Sequence, residues 1–204
     1  VVISLQQIAH PVTPIPEKHA VMLQKNKTFT PHVLPVIAGT KIDFPNEDPI
    51  FHNAFSTYSG QIFDVGLYPP GTSKTVRFQR PGIVRVFCNI HPTMSAIILV
   101  LSTPYFTTTP HDGSFHLDVP PGTYDLSVFH ERATEQTLQA LALRVTIGRG
   151  DALERPVRAA ENADATRPHF TIECIDKLTH RHVEIVAVQH VNVGVAGLQP
   201  FERF

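Results

Sequence analysis

A chain of 204 residues is long enough for one large domain or two small ones. Its formal net charge of -1 gives no electrostatic case for nucleic acid or an anionic membrane surface, and no run approaches the roughly 18 apolar residues of a membrane-spanning helix. The 18 prolines, where average usage of about 5% would give roughly ten, favour short strands and turns over a helical bundle.

Residues 1–5 are a short apolar run with strand character. Residues 9–18 hold Pro11, Pro14 and Pro16 and read as an extended linker. From residue 21 to 101, strand-like runs alternate with turn clusters at Ala38-Gly39-Thr40, Pro69-Pro70-Gly71-Thr72 and Arg80-Pro81-Gly82. Several short strands at this spacing predict a β-sandwich. Residues 56–67 lack a period and are expected to hold a short helix or a loop. Residues 81–87 and 95–101 read as strands, the second rich in branched side chains.

Pro104 opens a second unit. Asp112-Gly113 and Pro120-Pro121-Gly122-Thr123 are hairpin-type turn signals. Phe115, Leu117 and Val119 alternate, as do Tyr124, Leu126 and Val128, and residues 138–147 would add a strand. Residues 151–167 are charged and alanine-rich and read as linker or weak helix. In the tail, residues 170–175 and 183–188 are strand-like. The expectation is an all-β chain: residues 1–20 as N-terminal strand and linker, 21–105 and 106–158 as two sandwiches, and 159–204 as a tail of unknown role.

The chemistry concentrates in Cys88-x-x-His91-x-x-Met94, a thiol, an imidazole and a thioether in one loop between two strands. Pro92 cannot donate to a ladder, which keeps that loop out of the sheet. Thiolate plus imidazole suits zinc or copper, and the thioether points to copper. A blue-copper site takes two His and one Cys in a plane with a weak axial Met. The missing imidazole is best supplied by His52, near the end of the strand-like run 40–44. Each residue also has a plainer reading: a buried Cys as a small hydrophobe, Met94 as core, His52 as a surface or capping residue. A catalytic cysteine would need an oxyanion hole and a substrate pocket, and no motif supplies either.

This text resembles the cupredoxins, the small copper proteins that include plastocyanin, azurin and amicyanin. The wider wording is similar to a bacterial plastocyanin-like, methylamine-utilisation-like family over residues 26–32, 49–53, 66–74 and the 88–94 loop, and the resemblance spans roughly residues 21–131. It implies a Greek-key β-sandwich and one type 1 copper per chain. It also implies that Asn53 ties the two ligand loops together by hydrogen bonds. The His91 imidazole would be the electron port, and Pro92 would belong to an apolar patch that docks redox partner proteins. An N-terminal strand like residues 1–5 belongs, in that family, to the second domain. That domain resembles the carboxypeptidase-regulatory-like sandwich, a scaffold without catalytic residues, so no enzymatic activity is expected.

Two cysteines, Cys88 and Cys174, make no disulfide framework. The start at Val1 without Met suggests a processed product whose export signal has been lost, and a periplasmic or secreted location. His180 and His182 could share a strand face as a metal pair, although solvated histidines are the plainer reading. Copper storage or delivery, and a metal-free binding module, stand beside electron transfer as alternatives.

Overall fold

The structure, a computed structural model, describes residues 1–8, 17–57, 60–110 and 115–148, together with the backbone of strands at 153–154, 157–161, 170–174 and 191–193. The chain divides into two compact units. One is His10–Pro104; the other is discontinuous, made of Val1–Ala9 and Tyr105–Phe204.

Strand β1 (Val2–Gln7) belongs to the discontinuous unit. The His10–Pro104 unit then carries β2 (Ala20–Val21), β3 (Leu23–Lys25), β4 (Thr28–Thr30), β5 (Val33–Ile37), β6 (Lys41–Pro45), β7 (Phe55–Ser56), β8 (Phe63–Asp64), β9 (Ser73–Arg77), β10 (Gly82–Phe87) and β11 (Ser95–Leu101). One sheet has the order β5-β11-β10-β7-β8 and another β2-β6-β9, with β3 and β4 as a hairpin. β5 runs parallel to β11 and β2 parallel to β6, so the chain must cross over rather than simply meander. Alternation along β6 turns Ile42 and Phe44 inward. They join Val84 and Val86 of β10 and Ala96, Ile98 and Val100 of β11 in one buried cluster between the sheets. Each of these side chains except Ala96 contributes roughly 1.5–3 kcal/mol by leaving water. β11 lies between β5 and β10, and five consecutive side chains from Ala96 to Val100 are buried, which is why it reads as an unbroken apolar run.

The second unit adds β12 (Phe106–Thr108), β13 (His116–Leu117), β14 (Gly122–Phe129), α1 (Glu135–Ala140), β15 (Leu143–Ile147), β16 (Leu153–Glu154), β17 (Val157–Glu161), β18 (Phe170–Cys174) and β19 (Val191–Val193). Its main sheet has the order β12-β1-β14-β15. Ile3 and Leu5 of β1 meet Tyr124, Leu126 and Val128 of β14 and Val145 and Ile147 of β15 in a separate core. The Tyr124 hydroxyl donates to the Pro120 carbonyl at 2.6 Å, which gives its buried ring a polar anchor.

Several elements differ from the sequence expectation. Residues 56–67, expected as a short helix or a loop, hold among the described residues the end of β7 and the short strand β8, where the Phe63 ring packs on Phe44 and, edge-on, on Phe78, with centroids 5.8 and 5.3 Å away. The strand expected over 138–147 is confined to 143–147. Before it the Thr134 hydroxyl caps α1 by accepting from the Thr137 amide at 3.2 Å, and the following residues are good helix formers. β13 and β14 do not form a hairpin with each other, since β13 pairs with β16 and β14 with β1 and β15. Residues 151–167, expected as linker or weak helix, include strands β16 and β17. The Asp112-Gly113 turn, the run 183–188, His180 and His182 lie outside the described residues.

Candidate metal centre

Parity along β10 places the thiol. Val84 and Val86 point inward while Ile83 and Arg85 point out, so Cys88, just past the strand end, takes the next inward position. It is 3% exposed and is a free thiol. The loop beyond it closes tightly: the Met94 amide donates to the His91 carbonyl at 2.9 Å and the Cys88 amide to the Met94 carbonyl at 3.3 Å. β11 then starts with Ser95 opposite Phe87. Met94 is buried in the same apolar cluster as Cys88. His91 is half-buried, and Pro92 and Thr93 are exposed.

His52 comes from a different part of the unit. Its backbone bridges Tyr68, with the Tyr68 amide donating to the His52 carbonyl at 2.9 Å and the His52 amide to the Tyr68 carbonyl at 3.2 Å. Tyr68 is itself pinned inside the core, donating to the Phe44 carbonyl at 2.9 Å and accepting from the Gln24 amide group. Burial pushes the Tyr68 phenol far up, so it stays neutral. The result is an imidazole with no exposed surface.

His52, Cys88 and His91 converge. The Cys88 Sγ lies 3.8 Å from Nδ1 of His52 and 3.7 Å from Nδ1 of His91, and the two imidazole centroids are 4.7 Å apart. Among the described residues this is the one group of His, Cys, Asp or Glu donors close enough to share a metal ion. The spacing tests whether one ion fits between them. Metal–nitrogen and metal–sulfur bonds of about 2.05 and about 2.3 Å put the two atoms about 3.8 Å apart at a trigonal angle, and about 3.6 Å apart at a tetrahedral one. The observed 3.8 and 3.7 Å fall within the range that donors sharing one metal ion require. A thiolate with two imidazoles suits zinc or copper, and a thioether beside them, Met94, favours copper. Burial, reinforced by the nearby charges of His52 and Lys27 and opposed by Asp48, pushes the His91 imidazole below its ordinary pKa, which leaves a nitrogen free to bind a cation.

Asp48 was not singled out from the sequence, yet it holds the far side of His52. One carboxylate oxygen lies 2.7 Å from Nε2 of His52 and accepts from the Lys27 amide at 2.9 Å; the other accepts from the Asn26 amide at 2.7 Å. Burial pushes this carboxyl up, but the Lys27 amide, His52 and the Asn26 amide together hold it below its ordinary value. Asn46 fixes the loop around it, accepting from the Asp48 amide at 3.0 Å and donating to the Ile50 carbonyl at 2.8 Å. In sequence it is only an acidic residue four positions before a candidate ligand histidine, within a stretch that reads as a turn.

The Asn53 side chain, expected to join the two ligand loops, donates instead to Asp64 Oδ1 at 2.7 Å, and its own carbonyl oxygen is buried without a partner. Asp64 Oδ1 also accepts from the Gly66 amide at 2.8 Å, so through Asp64 the Asn53 side chain ties the His52 loop to the turn after β8. Exposed apolar side chains sit beside the site residues in sequence: Phe51 next to His52, Leu67 next to Tyr68, Ile90 and Pro92 on either side of His91.

No protein-family model matches the chain. A stretch of 55 residues is 42% identical to the methylamine utilization protein MauL of Methylorubrum extorquens, covering 26% of this chain and 48% of that protein. The chain therefore spans about half the length of the curated relative it matches. Similar solved structures include amicyanin from Paracoccus versutus (17% identity, TM-score 0.39, covering 48% of this chain and 98% of amicyanin). A purple cupredoxin from Nitrosopumilus maritimus is 20% identical with TM-score 0.38, over 40% of this chain and 99% of its own. A Cu-containing nitrite reductase from Thermus scotoductus is 25% identical with TM-score 0.41, over 48% of this chain and 26% of its own.

Proposed function

We propose that this chain is an electron carrier with one type 1 copper, held by His52, Cys88 and His91 in a plane and by Met94 on the axis. The observation that carries the reading is the pair of ring nitrogens 3.8 and 3.7 Å from one buried thiol, each delivered by a separate loop. Bound copper would supply one-electron chemistry. The chain's own contribution is a donor set that accepts both oxidation states. The thiolate and thioether suit Cu(I), and the imidazoles suit either state. Backbone hydrogen bonds that close the two loops limit rearrangement between them, and burial of Cys88, His52 and Met94 excludes water. Asn53 supports the site from outside through Asp64.

His91 is the exit for the electron, since it is the donor that reaches the surface. Phe51, Leu67, Ile90 and Pro92 form the apolar patch on which redox partner proteins dock, a small interface suited to brief encounters. The second unit is a structural module resembling the carboxypeptidase-regulatory-like sandwich. The resemblance also favours a periplasmic or secreted setting. The reading is tested by loading the full chain with Cu(II) and recording its absorption spectrum. The expected result is one copper per chain with an intense visible thiolate-to-copper band. A colourless or weakly binding protein overturns electron transfer in favour of copper delivery or a metal-free module.

A further inference from the structure

We propose that Asp48, braced by the turn between β3 and β4, is a positioning residue that fixes the tautomer of His52 and lowers the reduction potential of the site. The inference rests on the copper reading above for its second half; the first half concerns the protein alone.

The turn is the unusual part. Lys25 pairs with Thr28, leaving a two-residue connection in which both Asn26 (φ 54) and Lys27 (φ 55) occupy the left-handed region. Such a turn suits a hairpin, but glycine is the usual occupant of its second position, and lysine there is strained. The conformation aims two successive amides at Asp48, one on each oxygen, at 2.7 and 2.9 Å. A carboxylate only 7% exposed is costly unless hydrogen-bonded, and these amides with His52 supply three donors. Together they hold the carboxylate in one orientation, with an oxygen 2.7 Å from Nε2 of His52.

An acceptor-only carboxylate at Nε2 requires a proton on that nitrogen. Nδ1 is then the lone-pair nitrogen, and it is the atom that faces Cys88. The fully buried ring cannot turn to exchange its nitrogens without breaking a buried charge-assisted hydrogen bond. The carboxylate also strengthens the imidazole as a donor and adds a negative charge behind it. Both favour Cu(II) over Cu(I). Two backbone segments, at 26–27 and 46–50, thus act on one ligand nitrogen that neither touches directly.

Two measurements on the full chain test this. In the metal-free protein, nitrogen NMR should find His52 protonated on Nε2 and not on Nδ1; the opposite tautomer overturns the proposal whether or not the protein binds copper. In the copper-loaded protein, Asp48→Asn should keep the visible band but weaken Cu(II) binding about 10- to 100-fold with Cu(I) binding little changed. That ratio converts to a rise in potential of about 59–118 mV. Asp48→Glu, which keeps the charge, should lie between parent and Asp48→Asn. Potentials identical in all three proteins overturn the tuning role. If Asp48→Asn does not fold, the potential of Asp48→Glu and the parent tautomer still decide. A protein with the expected tautomer that binds no copper overturns the functional reading and the tuning role while leaving the brace standing.

Discussion

The Cys88 side chain arrives at the site because it continues the inward alternation of Val84 and Val86, so a serine there would keep the packing and change only the chemistry. Cys88→Ser is therefore expected to fold and to lose the visible band, because a hard hydroxyl cannot replace the thiolate. A serine variant that stays intensely coloured would overturn the ligand assignment. Met94 is the second residue-scale test. It is buried beside Cys88, and its thioether is a soft, weak donor. Met94→Gln offers a harder oxygen and should lower the potential; Met94→Leu removes the donor and should raise it. Voltammetry that finds both variants at the parent value would make Met94 a core residue only. That residues 88, 91 and 94 would lie close together was legible because they sit in one loop with regular spacing. The approach of His52 to that loop was legible only through its residue type and the donor that the proposed site lacked. Asp48 was not, because an acidic residue in Asn46-Glu47-Asp48-Pro49 looks like ordinary turn chemistry until the fold brings the amides of residues 26 and 27 onto it. Nor could sequence show that Asn53 reaches Asp64, a contact set by the pairing of β7 with β8.

Among the elements, the β3–β4 turn can be tested through its backbone alone. Lys27→Gly puts the residue best suited to φ 55 at that position and keeps the amide that Asp48 needs. It should raise the stability of the metal-free protein by about 1 kcal/mol, read from its thermal unfolding. A destabilised glycine variant would mean that the Lys27 side chain is the reason for its presence. Gly60 makes the opposite case. Its φ is +95, and an added Cβ would stand 2.7 Å from the Ile83 carbonyl oxygen, a backbone atom of β10 that cannot step aside. Gly60→Ala should cost about 1–3 kcal/mol; unchanged unfolding would show that the loop beside β10 adapts. The longer strands were legible from alternation and turns. The errors fell where a tertiary contact or a cap outweighs local pattern. Phe63 is drawn against Phe44 and Phe78, and Thr134 starts a helix within a stretch read as strand. The pairing of β13 with β16 joins residues far apart in sequence, which no turn signal near residue 120 could announce.

For the whole molecule, the decisive feature is that the first strand is an interior member of the last unit's main sheet. β1 lies between β12 and β14, with Ile3 and Leu5 wholly buried. Leu5→Ala should cost the second unit about 2–5 kcal/mol through the lost contacts and the cavity left behind. The visible band of the copper-loaded chain should keep its intensity, since Leu5 is absent from the cluster that holds Cys88 and Met94. Unfolding followed by far-ultraviolet circular dichroism and by the visible band separates the two effects. Loss of the band in folded Leu5→Ala would mean that the metal site depends on β1. The same pairing, Val2 with Phe129 through Gln7 with Tyr124, also sets an order of events during synthesis. At ~5–20 residues per second, β14 follows β1 from the ribosome by about 120 residues, or roughly 6–25 s. Every strand of the His10–Pro104 unit is made in that interval, so this unit can close first. Until β14 appears, Val2, Ile3 and Leu5 of β1 lack the longer of the two strands that flank them, and this apolar segment is exposed to aggregation in the nascent chain.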